Sequence, residues 1–412
     1  MKQPLSRTRP TPHLLARLLL FVCCIAALAA QPSGVPSPLL KKGQPVDWWF
    51  VFKFNTGALP GCADSAQRAC PFGGTLQTGK PFSQQFAFAS SDDAKLQAGG
   101  GCVGDTTADP LGATFEEVYD GNLFYALWND QFGGDPIASK SGSAGHSKGL
   151  LAWDKEGNGL VLQVSTPSWP AAGNAKNPRK TDGNTLGCTT DNNILVSQHF
   201  FSLKLNKDDV VAVLKALINA SVVSDPTKLQ LVNNGGPDDI KALVASLGKS
   251  SKSKTAMTVQ LSSGVELISK PSGMHVPPWQ MVSALLNGEP LRAATWWTTP
   301  AIPSTTDSNP PGCWDPSLGK PGPVEIATTG TWEGKSIGLE GGPHPAGNHA
   351  KIGVSTGKHA YSIFGDMNQQ GSLDANCASS QNGRGGTFYV VDNQQLFDGV
   401  RDLIKGDSAP AK

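Results

Sequence analysis

The sequence predicts an α/β architecture of two similar sheet-containing halves that meet at one site, without separation into independent domains. Three observations carry this. Two His-x-Lys elements, His146-Ser147-Lys148 and His349-Ala350-Lys351, each follow a Gly-rich approach and run directly into a strand-like stretch. Each such stretch is followed by a turn and a second apolar run. Helix-forming patterns gather between the two elements, while 47 Gly and 31 Pro in 412 residues imply many turns and short strands.

Taken in order, Lys2, Arg7, Arg9 and Arg17 precede an apolar run over 18–30 that closes on Ala27, Ala29 and Ala30. This reads as a secretory signal peptide, residues 1–30. The run is too short to span a bilayer, and no later stretch approaches eighteen uninterrupted apolar residues. The expected product is an exported protein of 31–412, in periplasm, medium or an acidic vesicle, with no membrane partner. Its first half, about 44–204, holds the first element, and its second half, about 205–405, holds the second. Removing the signal leaves 30 basic against 33 acidic residues, a net charge near −3. A polyanionic partner must then meet a local basic groove or a pH low enough to charge histidines. Cys62, Cys70, Cys102, Cys188, Cys313 and Cys377 remain, an even number suited to disulfides in an oxidising compartment. Nearness along the chain suggests only the pair Cys62 and Cys70, and no CxxC supports a zinc site.

Strands are expected at VDWWFVFKF (46–54), LFYALW (123–128), GLLAW (149–153) and GLVLQV (159–164), and a β-like run at YSIFGDMN (361–368). The segment 154–158 reads as a hairpin turn. Asn206 is placed to cap a helix ending near Ile218, Pro237-Asp238-Asp239 opens another toward Leu247, and a last helix covers 394–404. The Pro/Gly-rich tract 299–347 reads as a long linker or surface loop.

In an extended strand residues two apart share a face, about 6–7 Å along the chain, so His and Lys of each element address one ligand. For a phosphodiester, imidazole can attack phosphorus or deliver a proton while ammonium neutralises the non-bridging oxygens. Two facing copies supply a nucleophile, a general acid and two lysines with no metal and no cofactor. Spacing alone leaves two unrelated exposed pairs an equally open reading.

The paired elements, with Asn368 after the second, resemble the phospholipase D superfamily, and the surrounding text resembles the deoxyribonuclease II family. The matching stretches are GQPVDWWFVFK (43–53), LFYALWNDQ (123–131), HSKGLLAWD (146–154), QVSTPSWP (163–170), HAKIGVS (349–355), GDMNQQG (365–371) and GRGGT (383–387). They keep the family's order across nearly the whole chain. The wider superfamily often carries an aspartate five residues after the motif lysine, where this chain has Trp153 and Thr356, a departure the acid DNases share. Residues 203–304 align with nothing recognisable.

The resemblance implies a phospholipase D-like fold with a pseudo-twofold active site and a DNA substrate. It also implies an endonuclease acting through phosphohistidine to leave 3′-phosphate ends. His146 is expected as nucleophile and His349 as general acid, Lys148 and Lys351 as phosphate ligands, and Asn368 as an orienting group. Ser165 and Asp366 are expected near the substrate. A phosphodiesterase for RNA or lipid and an inactive nucleic-acid-binding relative are the alternatives. Both motifs lie in one chain, so a homodimer is not needed for chemistry, although a clamp around duplex DNA is a use for one.

Since one imidazole must be neutral and the other protonated, an acid optimum follows. His344, His349 and His359 form no regular metal-binding face, and His199 and His275 are expected as structural or surface residues. Trp48, Trp49, Trp128 and Trp153 are expected in the core, with Trp296 and Trp297 as the exposed aromatic pair. Asn219-Ala220-Ser221 is an N-glycosylation sequon in a eukaryotic secretory path. The lysine-rich loop 248–254 reads as a solvated loop, with polyanion contact as the alternative.

Overall fold

All six residues of the strand Trp48–Lys53 are buried, which requires cover on both faces because side chains alternate sides. The computed structural model, which describes Met1 and residues 34–63, 72, 81–104, 106–133, 136–137, 142–180 and 194–412, supplies that cover. The expected signal segment, Cys70 and Cys188 fall outside the described residues.

Trp48–Lys53 belongs to an eight-stranded antiparallel sheet. Its order is Val232–Asn233, Phe124–Asn129, Lys148–Trp153, Gly159–Val164, Gln198–Leu205, Trp48–Lys53, Phe86–Ser90, Gln97–Ala98. A second sheet runs Met257–Gln260, Glu266–Lys270, Gly386–Asp392, Tyr361–Gly365, Ile352–Ser355, Leu291–Ala294, Val324–Ile326, antiparallel except for the last pair. Five strands correspond. Phe124–Asn129, Lys148–Trp153, Gly159–Val164, Gln198–Leu205 and Trp48–Lys53 match Leu291–Ala294, Ile352–Ser355, Tyr361–Gly365, Gly386–Asp392 and Glu266–Lys270 in both spatial and chain order. The expected α/β class with two similar sheet halves is thus observed.

Alternation along the second sheet splits its side chains between two cores. Leu267, Phe364, Tyr389 and Val391 join the large cluster shared with the first sheet. Ile268, Ile363, Phe388 and Val390 join a second cluster on the opposite face, with Trp279 and Met281 of the helix Pro278–Leu285. At the seam Phe364 stacks on Phe50 and Phe201 of the first sheet, ring centroids 4.4 and 4.8 Å apart. The helix Lys207–Asn219 opens on a capping box in which Asn206 and Asp209 bond each other's backbone N–H. The helices Asp238–Val244 and Gln394–Leu403 lie where the sequence places them.

Three expectations need correction. The tract 299–347 is not a structureless linker. It contains the edge strand Val324–Ile326, preceded by Pro321 and Pro323, and the hairpin Thr329–Trp332/Lys335–Gly338. Proline belongs at such edges. Glu333 and Gly334 both take positive φ, 48° and 77°, as a tight hairpin turn demands. Cys62 pairs with Cys102 rather than with Cys70. Bridging of Gly61 to Ser83, and Val103 N–H donating to Gln84 at 3.0 Å, bring the distant cysteine alongside. Cys313 pairs with Cys377. Finally, Asn219 is no glycan acceptor in this fold: it is buried and its amide donates to Ser269 and Thr255.

Candidate active site

His146 and Lys148 sit at the entry of the strand Lys148–Trp153, and His349 and Lys351 at the entry of Ile352–Ser355. The sheet registers make the two sets equivalent. Gly149 pairs with Gln163 and Ile352 with Phe364, so Ser165 and Asp366 follow their return strands at the same step.

Each histidine is held by the opposite half. His146 N–H donates to Gly385 O at 2.7 Å, and its Nδ1 lies 2.7 Å from Asp366 O. A carbonyl only accepts, so Nδ1 carries the proton and Nε2 the lone pair. Conversely, His349 N–H donates to Ser197 O at 2.8 Å, and its ring bonds the Ser165 backbone, which favours the protonated form. Gly385 can approach because it has no side chain: a Cβ there would meet Ala220 O at 2.2 Å.

Both lysines are almost fully buried. Lys148 Nζ lies 2.5 Å from Asp130 Oδ1, and Arg384 Nη2 lies 2.8 Å from Asp130 Oδ2. Arg384 also donates to Ala144 O and Gly145 O, which ties the first Gly-rich approach loop to the second half. Lys351 Nζ donates to His349 O. Each ammonium has further N–H groups to offer a ligand.

The site is rich in positive charge. Burial pushes His146 well below the usual imidazole value; Lys148, Arg384 and Lys351 add to this, and Asp130 opposes it. Burial, then Lys351, Lys148 and Lys53, depress His349. Lys351 is also held well below its ordinary value, by burial and then Lys148. Burial favours protonation of Asp130, yet Lys148, His146 and Arg384 outweigh it and hold the carboxyl ionised. Lys53 and Lys270 end equivalent strands, and each is lowered to about 7 by burial with only carbonyl partners for its Nζ. Lys53, Lys148, Lys351 and Arg384 thus bear on the imidazoles against Asp130, while burial raises the Asp366 carboxyl above its usual range. An anion is what this field lacks.

Asp366 and Ser165 serve the histidines through their backbones. The Asp366 carboxylate accepts from Thr387 N and Oγ1 at 2.8 and 2.6 Å, and from Gln163 Nε2 at 3.3 Å. Ser165 Oγ donates to Gln198 Oε1 and accepts from His199 N–H. Both side chains are therefore engaged within the protein. Asn368 donates to Gln370 Oε1 at 2.9 Å while its buried Oδ1 has no partner. His199 is buried beside the site, its Nδ1 accepting from Lys351 N–H at 3.1 Å.

A family model for deoxyribonuclease II matches residues 37–407. The chain belongs to the deoxyribonuclease II family. Over 175 residues it is 30% identical to deoxyribonuclease-2-alpha of Rattus norvegicus, covering 40% of this chain and 45% of that protein. For the protein of that name from Sus scrofa the figures are 29% over 173 residues, 40% and 43%. The chain thus spans less than half the length of the curated relatives it matches. The structure of a yeast tyrosyl-DNA phosphodiesterase mutant aligns at TM-score 0.32 and 7% identity, over 68% of this chain and 85% of that one. That likeness is too slight to carry any argument.

Within this deoxyribonuclease II framework, sequence reasoning missed Asp130, Arg384, Lys53 and the placement of His199. Asp130 lies within the stretch LFYALWNDQ, and Arg384 within GRGGT. Their signal was charge next to a strand end in a family-like stretch, without a spacing pattern to single it out.

The halves differ at one equivalent position. Trp128 pairs with Gly149, and Ala294 with Ile352, so Asp130 and Trp296 each stand two residues past matching points. The first half places a carboxylate there. The second places an indole whose ring centroid is 4.1 Å from that of His349, at 79°.

Proposed function

We propose that this member of the deoxyribonuclease II family is an exported endonuclease that hydrolyses DNA phosphodiesters in an acidic compartment, without a metal, leaving 3′-phosphate and 5′-hydroxyl ends. The observation that carries this reading is the cross-held pair of imidazoles set among Lys53, Lys148, Lys351 and Arg384, with Asp130 as the opposing carboxylate. A phosphodiester anion between the two halves relieves the excess positive charge.

His146 Nε2 attacks phosphorus, forming an N–P bond as the bond from phosphorus to the 5′ oxygen breaks. His349 gives its proton to that oxygen. Now neutral, His349 takes a proton from water, whose oxygen attacks phosphorus and displaces His146, releasing the 3′-phosphate. Lys148 and Lys351 hold the non-bridging oxygens while negative charge redistributes. Asn368, through its unpartnered Oδ1, orients a group of the bound complex. The disulfides Cys62–Cys102 and Cys313–Cys377 suit an oxidising compartment. Among the described residues no helix is long and apolar enough to cross a membrane.

The test is hydrolysis of supercoiled DNA, RNA and phosphatidylcholine side by side at pH 5 in EDTA, with end-group analysis of the products. DNA nicking to 3′-phosphate ends is expected. Preference for RNA or lipid, or inactivity in EDTA alone, would overturn the proposal.

A further inference from the structure

Trp296 is not absorbed by the chemistry above. It follows the strand Leu291–Ala294, and its ring meets the His349 imidazole edge-on at 4.1 Å. It stays half-buried, whereas Asp130 at the matching place in the other half is 1% exposed and closed off by Lys148 and Arg384. The neighbouring Trp297 is spoken for, since its indole N–H donates to Ile302 O at 2.7 Å. Among the described residues the Trp296 indole N–H has no partner. Gly341 backs the indole closely: a Cβ there would lie 2.9 Å from Trp296 Cγ, so the ring is braced by backbone. A braced, partly exposed indole beside a catalytic imidazole is a preorganised flat apolar surface at the point where the phosphate must sit.

We propose that Trp296 is a stacking platform for the nucleobase adjoining the scissile phosphate, and so a specificity-determining residue. The proposal rests on the nuclease reading. The swap of Asp130 for Trp296 between otherwise equivalent halves gives the site one polar and one aromatic flank, which orients a strand that has two chemically different ends. Because stacking uses the face of any base, it selects unpaired or flipped nucleotides over sugar and phosphate alone without demanding a particular sequence. The base on the side of the 5′ leaving oxygen is the one expected to stack, since His349 serves that oxygen.

The test uses the full chain and single-stranded 12-mers that carry one phosphodiester among phosphorothioates. The nucleoside on either side of that bond is normal or an abasic tetrahydrofuran. Trp296→Ala is expected to lower kcat/KM on the normal strand by about tenfold or more, the range of base–aromatic stacking. Trp296→Phe should retain most activity. An abasic residue on one side of the bond should slow the wild type and abolish its advantage over Trp296→Ala. An equal loss for Trp296→Ala on normal and abasic strands, or no loss at all, would overturn the platform while leaving the nuclease reading intact. Failure of the wild type to cleave any strand would overturn that reading itself.

Discussion

At the scale of single residues, the site is governed by how buried charge is balanced. Asp130 is the counter-ion of both Lys148 and Arg384, whose side chains are 3% and 11% exposed. Removing one partner of a buried ion pair leaves an uncompensated charge, which costs about 3–5 kcal/mol. Asp130→Asn should therefore lower the urea midpoint by a corresponding amount; an unchanged midpoint would show that Lys148 and Arg384 find other partners. The imidazoles set the pH dependence. His146, His199 and His349 all lie well below the ordinary value of 6.5, chiefly through burial. Folded, they bind fewer protons than unfolded, so their contribution to stability is full above 6.5 and is lost as pH falls through the depressed values. On the proposed mechanism the protonated acid is drawn from His146 and His349. The alkaline limb of kcat/KM is thus expected at an apparent pKa below about 6.5, measured as a pH–rate profile. A maximum at pH 8 would contradict it. Of these residues, His146, Lys148, His349 and Lys351 were legible because their repeated spacing, open on its own, falls within stretches that resemble the family. Asp130 and Arg384 were not, since their contacts join positions 18 and 254 residues away, through strand register and a loop crossing between halves.

At the scale of elements, the strand Lys148–Trp153 positions the first motif, and Gly149 sets how closely its neighbours approach. A Cβ at Gly149 would lie 2.5 Å from the Trp128 ring and 2.6 Å from Leu162 O. Gly149→Ala should cost about 1–3 kcal/mol by overpacking and also depress cleavage, because Lys148 is the adjoining residue. Asn206→Ala, which removes a cap remote from the motif strands in sequence, should cost about 1 kcal/mol with cleavage unchanged. Thermal unfolding and plasmid nicking on both variants read the contrast; equal activity loss in the two would remove the special role of the motif strand. These strands and helices were legible because their apolar runs and caps are local. The edge strand Val324–Ile326 and its following hairpin were hidden by the prolines and glycines that edges and tight turns require. The Cys62–Cys102 pairing was hidden because tertiary packing, not chain proximity, brings the cysteines together.

At the scale of the whole molecule, two sheets with a common five-strand order share one core at Phe50, Phe201 and Phe364, and trade hydrogen bonds so that each half aims the other's histidine. The repeat of a loop, a His-x-Lys element and a return strand, together with the family-like stretches around it, pointed to that pairing. The exchange of backbone carbonyls across it could not be read from spacing, because it depends on the packing of strands far apart in the chain. Trapping the covalent intermediate tests the paired site most directly. A 5′-labelled oligonucleotide is mixed with enzyme at pH 5 in EDTA, quenched in alkali, and the labelled peptide mapped in wild type, His146→Ala and His349→Ala. Label on His146 in the wild type, and loss of turnover in both variants, is the predicted result. Undiminished cleavage in either variant, or product formed with no labelled histidine, would contradict it.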